Sequence, residues 1–102
     1  MAYEILFADE TGEHLAALTA GQKATVFEAI ARQLPREPTR TTRNRKPMDP
    51  DKRDFIAPWE LRVGSLRVYS AVENVLSPRV VIVAVGIKGR ERLRIGGKDV
   101  DE

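Results

Sequence analysis

The sequence contains no cysteine and only one histidine. Without cysteine, neither a disulfide framework nor a thiolate metal site can form. A single histidine excludes a ribonuclease that works with a histidine pair, and His14 is expected to be an exposed bystander on a helix. Ser65 and Ser70 have no histidine partner for a triad. No pair of helical histidines and no loop of alternating carboxylates is present, so we expect neither a metal nor another cofactor.

Long apolar runs are also missing. No stretch approaches the ~20 residues that a membrane span requires. The first residues lack the basic region and apolar core of a signal peptide. We therefore expect a soluble cytoplasmic protein. The chain of 102 residues, 42% hydrophobic and 31% charged, is long enough for one globular domain, which we place at 1–102.

Charge is distributed unevenly along the chain, although its net value is only +2. Residues 1–31 carry one basic and five acidic side chains, whereas residues 32–67 carry ten basic and five acidic ones. Twelve of the seventeen basic residues are arginine, whose planar guanidinium suits phosphate. The middle of the chain is therefore the expected binding region for a polyanion.

The first third of the chain has the pattern of a strand followed by two helices. Residues 3–7 alternate in polarity as a short strand does. Asp9 is expected to cap a helix over roughly 10–18. Thr19-Ala20-Gly21-Gln22 fits a capping box that begins a second helix ending near Leu34. The apolar stripe of this helical hairpin predicts a sheet beneath it.

A proline-rich connection over residues 35–58 follows and is expected to be mostly irregular. It contains the basic run Arg40-Thr41-Thr42-Arg43-Asn44-Arg45-Lys46. Such a run is commonly a solvated segment, but Thr, Asn and Arg are also the donors that contact phosphate and sugar. No aromatic residue interrupts it, so base stacking is not expected there.

Two strands joined at Gly64-Ser65 form the hairpin around which the chain is organised. Glycine at the first loop position suits a two-residue type II′ turn. That turn sets Arg62 directly opposite Arg67, a destabilising pair of like charges. Either an anion belongs between the two arginines, or Glu60 and solvent screen them.

The remaining strands complete the predicted sheet. The apolar run 80–85 is typical of a central strand buried on both faces. A last strand is expected to turn Leu93 and Ile95 inward. The predicted polar face of the sheet then gathers Arg62, Arg67, Lys88 and some of Arg90, Arg92 and Arg94.

Four motifs in this order resemble the RelE/ParE superfamily, the toxins of bacterial type II toxin–antitoxin modules. They are Thr42-Arg43-Asn44-Arg45-Lys46-Pro47, Trp59-Glu60-Leu61-Arg62-Val63-Gly64, Leu66-Arg67-Val68-Tyr69 and Ala84-Val85-Gly86-Ile87-Lys88. The resemblance spans roughly residues 3–97. It implies an α+β, two-layer RelE-like fold in the order β-α-α-β-β-β-β. A helical hairpin would cover one face of a mainly antiparallel sheet.

The resemblance also implies a metal-independent mRNA interferase that cleaves messages in the ribosomal A site and is neutralised by a cognate antitoxin. By position, Arg67 matches the arginine on the scissile phosphate. Lys88, or Arg90 if the alignment slips, matches the residue that assists the leaving group. The residues expected to bind rRNA or mRNA are Arg43, Arg45, Lys46, Arg62, Arg92 and Arg94.

Two departures from the RelE branch keep alternatives open. That branch has lysines on the first hairpin strand, where this chain has Pro58 and Glu60. It also has a tyrosine near the C-terminus, where this chain has Arg94. No general base is assigned. The alternatives are a non-enzymatic inhibitor of DNA gyrase, as in the ParE branch, and a catalytically silent domain that binds antitoxin or RNA.

Overall fold

A computed structural model describes residues 2–52, 56–74, 77–90 and 92–100. Two helices and seven strands occur within these residues. Their bounds are β1 (Glu4–Phe7), α1 (Thr11–Ala16), α2 (Ala20–Gln33), β2 (Arg45–Pro47), β3 (Trp59–Val63), β4 (Leu66–Glu73), β5 (Arg79–Lys88), β6 (Leu93–Ile95) and β7 (Lys98–Asp99). No helix in these ranges has the length and apolar character needed to cross a membrane.

The seven strands form one sheet in which β2 to β7 lie in sequence order and β1 pairs with β5. The β1–β5 pair is parallel, and every other pair is antiparallel. This confirms the predicted α+β, two-layer architecture. The sheet has two strands more than the sequence predicted: β2 lies in the connection expected to be irregular, and β7 follows a glycine turn at Gly96–Gly97.

The helical hairpin packs on one face of the sheet, which we call the helix-side face. Val26, Ile30 and Leu34 are buried there against strand residues such as Leu61 and Val68. The capping box that begins α2 is formed as predicted: the Thr19 hydroxyl accepts from the Gln22 amide and the Gln22 side chain accepts from the Thr19 amide. Aliphatic burial of this kind contributes roughly 25 cal/mol per Å².

The predicted cap of α1 is wrong. Glu10, not Asp9, occupies the N-cap position, and no side chain caps the helix. The Thr11 hydroxyl instead donates to the Ala8 carbonyl at 2.6 Å. The helix is also shorter than expected, ending at Ala16.

A β-bulge in β5 sets the faces of the central strand. Tyr69 pairs with Ala84 and the next residue, Ser70, pairs with Ile82, so Val83 has no partner opposite it. Before the bulge, the even-numbered side chains of β5, such as Ile82, lie on the helix-side face. After the bulge, the odd-numbered side chains, such as Val85, lie on that face. The prediction of a strand buried on both faces is confirmed.

The opposite face, which we call the open face, carries a second, smaller apolar cluster. Tyr69, Ala84 and Leu93 are buried in this cluster, together with Ala57. Alternate residues of β4, Val68 and Tyr69, belong to the two different clusters, as expected for a strand between two packed layers. No helix covers this second cluster within the described residues, and charged side chains surround it instead.

Candidate functional site

The β3–β4 hairpin has the predicted register. Val63 pairs with Leu66, and Arg62 pairs with Arg67. Gly64 has φ of 60°, the left-handed region that glycine adopts without a steric penalty. Ser65 does not share this positive φ, which agrees with the predicted type II′ turn. Because Leu61 and Val68 point to the helices, both arginines lie on the open face.

A groove of about 400 Å³ crosses the open face next to this hairpin. Its floor is the buried Tyr69 ring together with Leu93, and its walls are charged. The side chains that line it are Lys46, Pro47, Met48, Asp49, Lys52, Glu60, Arg62, Arg67, Tyr69, Lys88, Leu93 and Val100. Five of these twelve are cationic and two are acidic, so the groove favours an anionic ligand.

Arg67 is held at the groove by its own hairpin. Its Nη1 donates to the carbonyl of Gly64 at 2.8 Å and to that of Leu66 at 2.9 Å. No carboxylate of the described residues lies within ion-pair distance of its guanidinium. Its remaining N–H donors are thus available to a ligand with the planar, bidentate geometry of a phosphate.

Lys88 reaches the same groove because of the β5 bulge. Without the unpaired Val83, the regular alternation of β5 would place residue 88 on the same face as Ile82, towards the helices. The Lys88 amide donates to the Ser65 carbonyl at 2.7 Å, which ties the end of β5 to the hairpin turn. Bulges commonly redirect a side chain beside a functional site. Within the described ranges, Lys88 makes no ion pair.

Glu60 is the carboxylate that sequence reasoning considered only as a screen for the two arginines. It is buried, with 8% of its surface exposed, and its Oε1 accepts from Arg62 Nε at 2.9 Å. It therefore pairs with Arg62 and not with Arg67. The alternation of the β3 sequence already placed Glu60 and Arg62 on one face; its burial follows from the flanking strands β2 and β4, where it pairs with Lys46 and Tyr69.

Arg45 is a structural residue, which contradicts its predicted place on an RNA-binding surface. It is 4% exposed, its Nε donates to the Arg40 carbonyl and its Nη1 donates to the Gln33 carbonyl, both at 2.8 Å. The Gln33 carbonyl belongs to the C-terminal turn of α2, where a cation is favoured. Burial lowers the pKa of Arg45 below its usual value. Its neighbours Arg43 and Lys46 are exposed.

The arginines near the end of the chain lie outside the groove. Arg94 pairs with Ile87, which packs on the helix-side core, while Leu93 pairs with Lys88. Leu93 is buried and lies on the face opposite Arg94, as expected. It is buried on the open face and not against the helices, because the β5–β6 register pairs it with Lys88. A separate surface depression is lined by Ile87, Gly89, Arg90, Arg92 and Arg94.

Asp99 binds two of these arginines. Its carboxylate accepts from Arg92 Nη1 and from Arg94 Nε, each at 3.0 Å. Arg90 makes no ion pair among the described residues. Of the two alternatives predicted for the leaving-group position, the structure thus brings Lys88, and not Arg90, into the groove beside Arg67.

His14 is not the exposed bystander that the sequence suggested. It is half-buried, and its Nδ1 accepts from the Val85 amide at 3.4 Å, which links α1 to β5 on the helix-side face. It is remote from the groove lining. Within the described ranges, no group of three or more His, Cys, Asp and Glu side chains is arranged to hold a metal ion.

The fold is found in a solved toxin–antitoxin complex. A chain of the RelBE2 complex from Mycobacterium tuberculosis, covered over its whole length, matches 86% of this chain at 25% identity with a TM-score of 0.68. No protein-family model and no curated protein matches the sequence. The helical hairpin, the sheet and this structural similarity support a RelE-like toxin fold.

Proposed function

We propose that this protein is the toxin of a type II toxin–antitoxin module and that it cleaves messenger RNA on the ribosome. The observation that supports this most is the groove, which Arg67, Lys88 and Lys46 line with no carboxylate partner among the described residues. Cations without an acidic partner on a concave surface suit a phosphodiester. The similarity to a toxin–antitoxin complex supports the toxin assignment.

The proposed reaction is an attack by a ribose 2′-hydroxyl on the adjacent phosphate. Arg67 binds the scissile phosphate, and its guanidinium stabilises the negative charge that builds on the phosphoryl oxygens. Lys88 lies across the β4–β5 pair, where Arg67 is directly opposite Gly86. Its ammonium donates a proton to the departing 5′-oxygen. The products are a 2′,3′-cyclic phosphate and a 5′-hydroxyl end.

Dependence on the ribosome agrees with the shape of the groove. It is an open depression, and the one aromatic side chain among its described lining residues, Tyr69, is only 2% exposed, so this ring offers no stacking platform for bases. Phosphate contacts alone position RNA without holding a chosen base. We propose that the ribosome presents the message in the cytoplasm, and that exposed cations such as Arg43 and Lys46 contact the RNA backbone around it.

An antitoxin encoded by the same module would neutralise the protein. The cationic walls of the groove, with the partly exposed apolar residues Met48 and Val100 beside them, suit a segment with acidic and apolar side chains. Such a segment, often disordered when free, can fold as it covers the groove. The similar chain belongs to a toxin–antitoxin complex, which supports this proposal.

Expression without antitoxin in a bacterial host tests the proposed function. We expect growth arrest and cuts within codons of an abundant message, mapped by primer extension, that disappear when translation is blocked. Arg67→Ala should abolish both effects. Arg32→Ala is the matched control, because Arg32 is an exposed arginine on α2 paired with Glu28. Arrest with intact messages would contradict cleavage and favour gyrase; neither arrest nor cleavage would favour a silent domain.

A further inference from the structure

Glu60 is a carboxylate fixed inside an otherwise cationic groove. Two acidic side chains line the groove among the described residues, Glu60 and Asp49. Asp49 is exposed in the connection between β2 and β3, whereas Glu60 lies on β3 with both neighbouring strands paired to it. Burying a charge is costly, even when it is paired.

The strand register places Glu60 and Lys88 on opposite sides of Arg67. On β3, Glu60 precedes Arg62, which is directly opposite Arg67. On β5, Lys88 follows Gly86, which is directly opposite Arg67 on the other flank. Because β3 and β5 run in the same direction on either side of β4, the three side chains form a diagonal across the open face with Arg67 in the middle.

Glu60, Arg67 and Lys88 line the same groove at this diagonal. Gly86, directly opposite Arg67, contributes no side chain there, and β6 packs closely against it: a Cβ would lie 2.9 Å from the Ile95 side chain. The Glu60 carboxylate has an acceptor to spare: Oε1 takes the bond from Arg62, and no further hydrogen bond to Glu60 is made among the described residues. A carboxylate with an open acceptor can take up a proton.

We propose that Glu60 is the general base of the reaction, an inference that rests on the proposed function. An in-line displacement needs the base and the acid on opposite sides of the phosphorus. With the phosphate on Arg67, the Glu60 carboxylate accepts the 2′-hydroxyl proton as the O2′–P bond forms. The P–O5′ bond breaks and Lys88 protonates O5′. The proton that Glu60 gains and the one that Lys88 loses are then exchanged with solvent.

A purely structural role for Glu60 makes a different prediction. If Glu60 served only to hold Arg62, removing either side chain would lower the rate to the same extent, and removing both would cost nothing more. A base instead loses its function in Glu60→Gln, although the glutamine carbonyl oxygen can still accept the Arg62 hydrogen bond. The charged groups nearest Glu60 on the open face are Lys46, Arg62 and Arg67.

Single-turnover cleavage of a message on purified bacterial ribosomes tests this assignment. We expect Glu60→Gln to lower the cleavage rate constant by about 10² to 10⁴-fold and Glu60→Ala to regain activity when formate is added. Binding to the ribosome should stay within about twofold of the original protein, because the base acts in the chemical step. Arg62→Ala combined with Glu60→Gln should be slower than either single variant.

Glu28→Gln is the matched control, since Glu28 is an exposed acidic side chain on α2 outside the groove, and it should cleave at nearly the original rate. Thermal unfolding of each variant checks that it is folded. Cleavage by a folded Glu60→Gln protein at the original rate would overturn the role of Glu60 and leave the proposed function standing. Failure of the unmodified protein to cleave on translating ribosomes would overturn both.

Discussion

The two faces of the sheet differ in composition and therefore in what they contribute. The helix-side face buries an aliphatic core under α2, with Val26, Val68 and Val85 fully buried. The open face has a small apolar floor around Tyr69 and charged walls above it. One face supplies most of the hydrophobic stabilisation, and the other leaves its cations to solvent and ligand. Stability and activity should thus respond to different substitutions.

The largest effect on stability is expected from the helix-side face. Leu61→Ala removes a side chain that is 1% exposed and should lower the free energy of unfolding by about 3 kcal/mol. Phe27→Ala, on α2 where the side chain is 45% exposed and its ring meets Phe7 edge to face, should cost much less. Urea denaturation measures both values. Equal losses would mean that burial does not separate these positions.

A substitution at Gly86 tests how closely β6 packs against β5. A Cβ at this position would lie 2.6 Å from the Arg94 carbonyl oxygen, so Gly86→Ala should destabilise the protein by about 2 kcal/mol. Gly12→Ala on α1 is the control, because a Cβ there meets nothing within 4 Å and alanine favours helix. Opposite changes in the thermal midpoint are expected. A neutral Gly86→Ala would contradict the close approach of β5 and β6.

Arg43 and Arg45 lie two residues apart in the basic run, and we expect Arg45 to contribute to stability and Arg43 to binding. Arg45→Gln loses two hydrogen bonds to backbone carbonyls and should lower the free energy of unfolding by roughly 1.5 kcal/mol. Arg43→Gln, at an exposed position, should leave stability unchanged and weaken binding to ribosomes. Chemical denaturation and sedimentation with ribosomes measure the two effects. If Arg43→Gln unfolds more readily than Arg45→Gln, the assignment is wrong.

The smallest effect is expected at the exposed pair of Glu37 and Arg40, which are joined at 2.7 Å. The hydrogen bond and charge of Arg40 lower the pKa of Glu37 below its ordinary value of 4.5. A lowered folded-state pKa stabilises the protein above pH 4.5, and this contribution is lost as the pH falls through the folded-state value. Glu37→Gln should therefore unfold slightly more readily at pH 7, and the difference should vanish in acid. A larger difference in acid would contradict the pairing.

The register of the arginine hairpin could be predicted from the sequence because its turn leaves no freedom. A two-residue loop beginning with glycine determines every cross-strand pair, and Arg62 and Arg67 are paired as expected. The face of Lys88 was harder to derive. Residues 80–85 are apolar almost throughout, so no alternation in polarity reveals that Val83 is bulged.

The basic run shows a second limit of sequence reasoning. Arg43, Arg45 and Lys46 have the same charge, and composition alone does not tell a ligand-binding arginine from a structural one. Arg45 is distinguished by β2, which joins the sheet and brings its guanidinium to the end of α2. Glu60 was assigned no base role for a similar reason: its position relative to Arg67 and Lys88 depends on three paired strands.

The most direct test of the two-face account is cleavage of a defined message on translating ribosomes by the purified protein, by Arg67→Ala and by Arg32→Ala. We expect the original protein and Arg32→Ala to leave 2′,3′-cyclic phosphate and 5′-hydroxyl ends within the A-site codon. Arg67→Ala should be slower by about 10² to 10³-fold while unfolding at the same temperature. A folded Arg67→Ala protein that cuts as fast as the original would contradict the assignment of the groove as the active site.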